Sequence, residues 1–108
     1  EFIVYGDAGY LEKAVWNLIS NSISYNKENG WILITAKREQ FSIENSGPPI
    51  DPEKISNLFE MFGSGEKGRS AKEKHFGIGL YLTKKIFSLH HLEISLENTE
   101  EGVKVNIS

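Results

Sequence analysis

Asn17-Leu18-Ile19-Ser20-Asn21-Ser22-Ile23-Ser24-Tyr25 is the stretch on which the fold turns. Just upstream, Leu11, Ala14 and Val15 join Leu18 and Ile19 at helical spacing, which predicts one amphipathic helix over residues 11–25. On a wheel of roughly 100° per residue, Asn17 and Asn21 fall beside the apolar arc of Ala14, Leu18 and Tyr25, not opposite it. Two carboxamides one turn apart at the margin of a buried face suit a ligand seam. A carboxamide oxygen can hold a hard cation that takes its other ligands from phosphates and water. Asparagines in such places also cap neighbouring backbone, so the pair acquires meaning only from its surroundings.

Working outward, Phe2 to Tyr5 reads as a short strand and Asp7 as the helix N-cap. On the other side Asn26-Lys27-Glu28-Asn29-Gly30 breaks the helix. Trp31 to Ala36 and Phe41 to Ile43 then form a hairpin around Lys37 to Gln40. Asp51-Pro52-Glu53 starts a second helix, with Ile55, Leu58, Phe59 and Phe62 at i, i+3, i+4 and i+7. Gly63 to Phe76 reads as a long polar loop, and Gly77-Ile78-Gly79 opens a third helix carried by Leu80, Leu82, Ile86 and Leu89. A hairpin of Leu92 to Leu96 and Val103 to Ile107, turning at Asn98 to Gly102, ends the chain. That order predicts an α/β two-layer sandwich, a mixed sheet covered on one face by helices.

Composition narrows the classes. The 108 residues are 39% apolar and 25% charged, the balance of one ordinary globular domain spanning residues 1–108. The absence of cysteine excludes a disulfide-stapled scaffold and fits a reducing cytoplasm. Apolar runs of only a few residues exclude a bilayer span or a signal peptide, and no membrane contact by this domain is expected. A net charge of −3 excludes a broadly basic nucleic-acid surface. The only methionine, Met61, is internal, so a domain cut from a longer protein is expected.

Two further motifs carry chemistry. Asn45-Ser46-Gly47-Pro48-Pro49-Ile50 follows a strand directly, placing a polar side chain at the strand end and a glycine where backbone can approach a ring. Gly77-Ile78-Gly79 stands where a helix N-terminus would offer N–H groups to phosphate oxygens. The loop before it holds Lys67, Arg69, Lys72 and Lys74 against Glu66 and Glu73, a local positive excess in an acidic chain. Each feature alone has an ordinary reading as cap, turn or solvated loop.

Taken in order, they resemble the ATP-binding catalytic domain of sensor histidine kinases, within the superfamily of gyrase, Hsp90, histidine kinases and MutL. Residues 17–25 look like its N box and Ile43 to Ile50 like its G1 box. Leu58-Phe59-Glu60-Met61-Phe62 is similar to the F box, and Gly77-Ile78-Gly79-Leu80-Tyr81-Leu82 to the G2 box. The resemblance implies a Bergerat-type fold binding ATP and Mg²⁺ under a lid formed by Gly63 to Phe76. It implies that Asn21 ligates Mg²⁺, that Asn17 supports the phosphates, and that these two residues are the catalytic pair. It implies further that Tyr25 packs near the adenine, that Asn45 faces its amino group and that Gly47 leaves room for the ring. By the same resemblance Gly77 and Gly79 would lie beneath the phosphates, Lys67 and Arg69 would reach them from the lid, and Ile50, Ile78 and Leu80 would complete the nucleotide set.

The sequence departs from the family pattern at three places. Asn45 replaces the usual aspartate, exchanging a charge-assisted contact for a neutral one. An amide that can turn over could satisfy adenine or guanine, so looser discrimination against GTP is expected. Ser24 stands where lysine is common, and His75 replaces the first glycine of the G2 box. A degenerate nucleotide-binding or interaction module is therefore a second reading, and a hydrolase or serine kinase of the superfamily a third.

Reaction type follows from position 17. The hydrolysing branches carry a glutamate there as general base, and the carboxamide of Asn17 cannot take a proton from water. This favours transfer to a histidine, whose neutral imidazole needs no such base. His90 and His91 lack the flanking residues of the family's acceptor box, and His75 lies in the lid. The implied partners are therefore a separate dimerisation-and-phosphoacceptor domain and, downstream, a response regulator. The implied location is the cytoplasmic side of a bacterial membrane protein.

Overall fold

The computed structural model describes residues 2–55, 58, 59 and 71–108, and within residues 71–79 the backbone alone. The first helix, α1, spans Ala8–Ser24. Asp7 caps it as its residue type predicts: its extended backbone breaks the helix, and its Oδ1 accepts from the Tyr10 N–H at 3.0 Å. Ala14, Leu18 and Ser22 form its buried face, with Asn17 and Asn21 half-buried alongside.

The strands β1 (Ile32–Ala36), β2 (Phe41–Ser46), β3 (Ile94–Asn98) and β4 (Gly102–Ile107) form one sheet in the order β1-β2-β4-β3. Every pairing in it is antiparallel, where a mixed sheet was expected. The two helices α1 and α3 (Ala71–Leu89) pack against each other, with α1 also on β2, and the short α2 (Pro52–Ile55) follows β2. The two-layer architecture matches the expectation.

Register fixes which residues meet. Ile34, Ile43, Val105 and Leu96 lie in one row across the sheet, and Ile43, Val105 and Leu96 join Leu18, Leu80 and Phe87 in the core. One row further on stand Ile32, Asn45, Val103 and Asn98, so Asn45 and Asn98 share the helix-facing side at one end of the sheet. One row in the other direction stand Ala36, Phe41, Ile107 and Ile94. At that apolar end Phe2, Leu11, Phe41, Phe87 and Ile107 line a cavity of about 280 Å³. The molecule thus has an apolar end and a polar end.

Three expectations need correction. Phe2 to Tyr5 joins no strand of the sheet. The segment alternates as a strand would, with Phe2 and Val4 half-buried and Ile3 and Tyr5 exposed. It is held instead by side chains: the Phe2 ring stacks on Phe41 at 6.0 Å, and the Asp7 N–H following it bonds His90 Nε2 at 3.0 Å. Next, α3 begins at Ala71, so Gly77-Ile78-Gly79 lies inside it and does not open it. Ala71, Lys72, Glu73 and Lys74 are strong helix formers and carry the helix upstream of the glycines. The expected loop Gly63 to Phe76 is therefore helical from Ala71 onward, while residues 63–70, including Lys67 and Arg69, lie outside the described residues. Finally, α2 is described over Pro52–Ile55, and Leu58 and Phe59 lie in a turn outside it; residues 56 and 57, and Glu60, Met61 and Phe62 at the end of the expected helix, are outside the description.

Candidate functional site at the polar end of the sandwich

The helix directions set the site. α1 starts beside the apolar cavity at Leu11 and runs toward the polar end, where the Tyr25 carbonyl lies against Gly47. Asn17 and Asn21 therefore sit in its second half, one turn apart, or about 6 Å along the axis. α3 contributes Phe87 to the apolar cavity, so its earlier turns, with Gly77 and Gly79, point toward the polar end. Asn45 closes that end from the sheet. The structure brings these elements to one end of the molecule, though the sequence scatters them over some sixty positions.

Asn21 carries an unsatisfied group. Its Nδ2 is buried and has no hydrogen-bond partner among the described residues. A buried donor left unpaired costs about 1–3 kcal/mol, so it persists where something else supplies the acceptor. A phosphate oxygen fits that donor, and the amide's Oδ1 remains for a hard cation. No group of three or more His, Cys, Asp or Glu side chains among the described residues could form a metal cage. A magnesium ion that takes one protein oxygen and completes its shell from phosphate and water suits such a donor set.

Asn45 is the opposite case. It is 8% exposed, and its Nδ2 donates to the Ser46 carbonyl at 3.0 Å. One of its two Nδ2 hydrogens is thereby used, and the bond fixes which side of the amide carries Oδ1. Turning the amide over would place Oδ1 against that carbonyl and break the bond. That cost opposes the turnover on which looser guanine discrimination was expected to depend.

The loop after β2 is built to be rigid. Ser46 is fully buried; its Oγ accepts from the Trp31 N–H at 2.8 Å and donates to Asn26 Oδ1 at 2.6 Å. Gly47 has φ +145°, and a Cβ there would stand 3.1 Å from the Tyr25 carbonyl. Glycine is required at this position by backbone and packing before any ring is considered. The Gly47 N–H reaches the Glu101 carbonyl at 3.1 Å. Asn98, which the sequence analysis did not single out, clamps Ile50 twice: Oδ1 accepts from its N–H and Nδ2 donates to its carbonyl, both at 2.8 Å. A lone asparagine near a hairpin turn gives no signal of that role; only the shared face of β2 and β3 reveals it.

Other site candidates have structural duties. The side chain of Leu80 is 1% exposed and belongs to the core, and Ile50 packs against that core. Tyr25 is half-buried at the end of α1. Of Ile78 only the helical backbone is described.

Residues 6–108 match the family of histidine kinase-, DNA gyrase B- and HSP90-like ATPases, and the chain belongs to that family. It is 35% identical to sensor histidine kinase CssS of Bacillus subtilis over all of its own length and 23% of that protein's. It is 34% identical to the probable sensor kinase SilS of Salmonella typhimurium, over 98% of this chain and 22% of that one. The chain thus spans about a quarter of such relatives. A nucleotide-free structure of the catalytic domain of histidine kinase ThkA superposes with a TM-score of 0.81 at 32% identity, covering 96% of this chain and 69% of that one. Within its family the chain is a catalytic ATP-binding domain of the sensor histidine kinase type. No described helix is long and apolar enough to cross a membrane.

Proposed function

We propose that the domain binds MgATP at its polar end and that the protein containing it transfers the γ-phosphoryl to a histidine on a separate dimerisation domain. The buried Nδ2 of Asn21 carries this reading, being a donor without an acceptor among the described residues. In the proposed complex Asn21 would hold Mg²⁺, which when bound would supply neutralisation of phosphate charge. Asn17 donates to phosphate oxygens, Tyr25 packs on the adenine, and Asn45 Oδ1 accepts from its amino group. Lys67 and Arg69 serve as phosphate contacts, and the backbone around Gly77, Ile78 and Gly79 lies beneath the phosphates.

The residues position the reactants and neutralise charge, which is most of what phosphoryl transfer requires. The acceptor imidazole nitrogen forms a bond to phosphorus as the bond to the ADP oxygen breaks. No carboxylate at position 17 activates water, which supports transfer over hydrolysis. His90 is engaged at both ring nitrogens: Nε2 accepts from Asp7, and Nδ1 lies 2.7 Å from the Ile86 carbonyl, which leaves neither free to attack. The phosphohistidine would then supply a response regulator, and the whole protein would sit in a bacterial membrane with this domain on the cytoplasmic side.

Incubation with γ-labelled ATP tests the reading. The chain alone should remain unlabelled, and an added dimerisation-and-histidine domain from a relative should acquire acid-labile label. Stable label on His75, His90 or His91 would overturn it.

A further inference from the structure

We propose, resting on the MgATP reading, that Asn98 is the positioning residue for the base end of the nucleotide site. It fixes residues 47–50 against the adenine, and so governs binding of the base but not of the phosphates. Of the four residues that follow β2, Pro48 and Pro49 have no backbone N–H to give. Only Gly47 and Ile50 can donate, and both donate to the β3–β4 hairpin. The Gly47 N–H bonds the Glu101 carbonyl at 3.1 Å, and the Ile50 N–H bonds Asn98 Oδ1 at 2.8 Å. Every main-chain donor of the segment is thus spent on one hairpin.

That hairpin also abuts the base residue. Gly102 pairs with Ser46, and a Cβ there would collide with the Asn45 carbonyl, so the two backbones meet with no side chain between them. Glu101 holds the segment through its main chain, which substitution leaves in place. Asn98 holds it through a side chain, and Nδ2 returns a bond to the Ile50 carbonyl, also at 2.8 Å. Both main-chain groups of Ile50 are exchanged with one carboxamide, as between paired residues of two strands. Two bonds fix the twist of Ile50 as well as its place.

Asn98 does not reach the base itself. It shares a row with Asn45, but Val103 stands between them. Two strand spacings are about 10 Å, too far for Asn98 to contact the group that Asn45 reads. It acts through Ile50, which packs on the core. Asn21, the donor assigned to the phosphates, lies on α1 and takes part in none of these bonds. Loss of the clamp should therefore separate the two ends of the ligand.

Nuclear magnetic resonance titration of the 108-residue chain with adenosine, and separately with magnesium triphosphate, reads those ends one at a time. Asn98→Ala should weaken adenosine about tenfold, the equivalent of one net hydrogen bond. Magnesium triphosphate should bind it as it binds the parent chain, which also shows that the variant is folded. If Asn98→Ala does not fold, Asn98→Ser keeps one hydrogen-bonding oxygen and should show the same split more weakly. Ile107→Val loosens the core at the apolar end and should leave the ratio of the two affinities unchanged. Asn21→Ala should give the reverse split, losing triphosphate and keeping adenosine. Equal losses of both ligands in the Asn98 variants, or unchanged adenosine binding, would overturn the assignment alone. A parent chain that binds neither ligand would overturn the MgATP reading and the assignment with it.

Discussion

The two walls of the polar end satisfy their polar groups in opposite ways. Along the β2 wall, Asn45, Ser46, Gly47 and Ile50 all find partners within the protein, from Ser46, Trp31 and Asn26, Glu101 and Asn98. Along the helix wall, Asn21 Nδ2 is buried without one among the described residues. A donor that bonds internally is fixed in direction and can be read by a ligand only through what it leaves over. A donor that bonds nothing raises the energy of the empty domain and lowers it again when an acceptor arrives. The first wall is suited to selecting a base, the second to gaining affinity from phosphates.

The largest effect should come from breaking the helix wall. Asn21→Ala should cost about 2–3 kcal/mol of ATP affinity, the loss of contacts to charged groups, while Ser24→Ala costs far less. Without nucleotide the same variant should unfold at the same denaturant midpoint as the parent chain or above it, since an unsatisfied donor is gone. Isothermal calorimetry and urea melts read the two halves; a destabilised domain with normal ATP binding would reverse the comparison.

The loop wall should respond the other way. Asn98→Ala removes both bonds to Ile50 and strands its N–H and carbonyl, which should lower folding stability by about 2 kcal/mol in a urea melt. ATP affinity should fall less than for Asn21→Ala, because Asn98 holds the loop and touches no ligand in the proposed complex.

Thr83 sharpens what an unpaired atom means. Its Oγ1 is also buried without a partner among the described residues, and the whole residue is 0% exposed, where Asn21 is half-buried. Thr83→Val should raise thermal stability by about 1 kcal/mol and leave ATP binding unchanged. Loss of ATP affinity in that variant would show that the hydroxyl serves the site.

The smallest effect belongs to base choice. With one Nδ2 hydrogen bonded to the Ser46 carbonyl, turning the amide over costs that bond, so Oδ1 stays the acceptor as an aspartate oxygen would. Asn45→Asp should therefore shift the ATP-over-GTP preference by less than about 1 kcal/mol, measured by competition binding. A shift well above that would mean that the amide turns over in solution.

Much of this was legible along the chain. The helical spacing of Leu11, Ala14, Val15, Leu18 and Ile19 with Asp7 ahead of them defined α1, because period and cap chemistry are local properties. The two hairpins followed from alternating apolar runs around polar turns, and the order of the asparagine and glycine motifs pointed to the family. The start of α3 was misplaced because glycines read as a boundary, whereas the Ala71–Lys74 propensity upstream outweighed them. Phe2 to Tyr5 has the alternation of a strand, but strand identity depends on a partner's backbone, and the ring of Phe41 and the imidazole of His90 hold that segment instead.

The sequence by itself determined α1, the two hairpins, the helix wall's two asparagines and the residue types at the loop. Only the tertiary structure decided which polar groups were left over. Asn21 and Asn45 are the same residue, and nothing local distinguishes them. The difference lies in partners set by packing: a neighbouring carbonyl accepts from Asn45, and no described residue accepts from the Nδ2 of Asn21. Hydrogen-bond satisfaction is a property of three-dimensional neighbours, so it could not be read from sequence spacing.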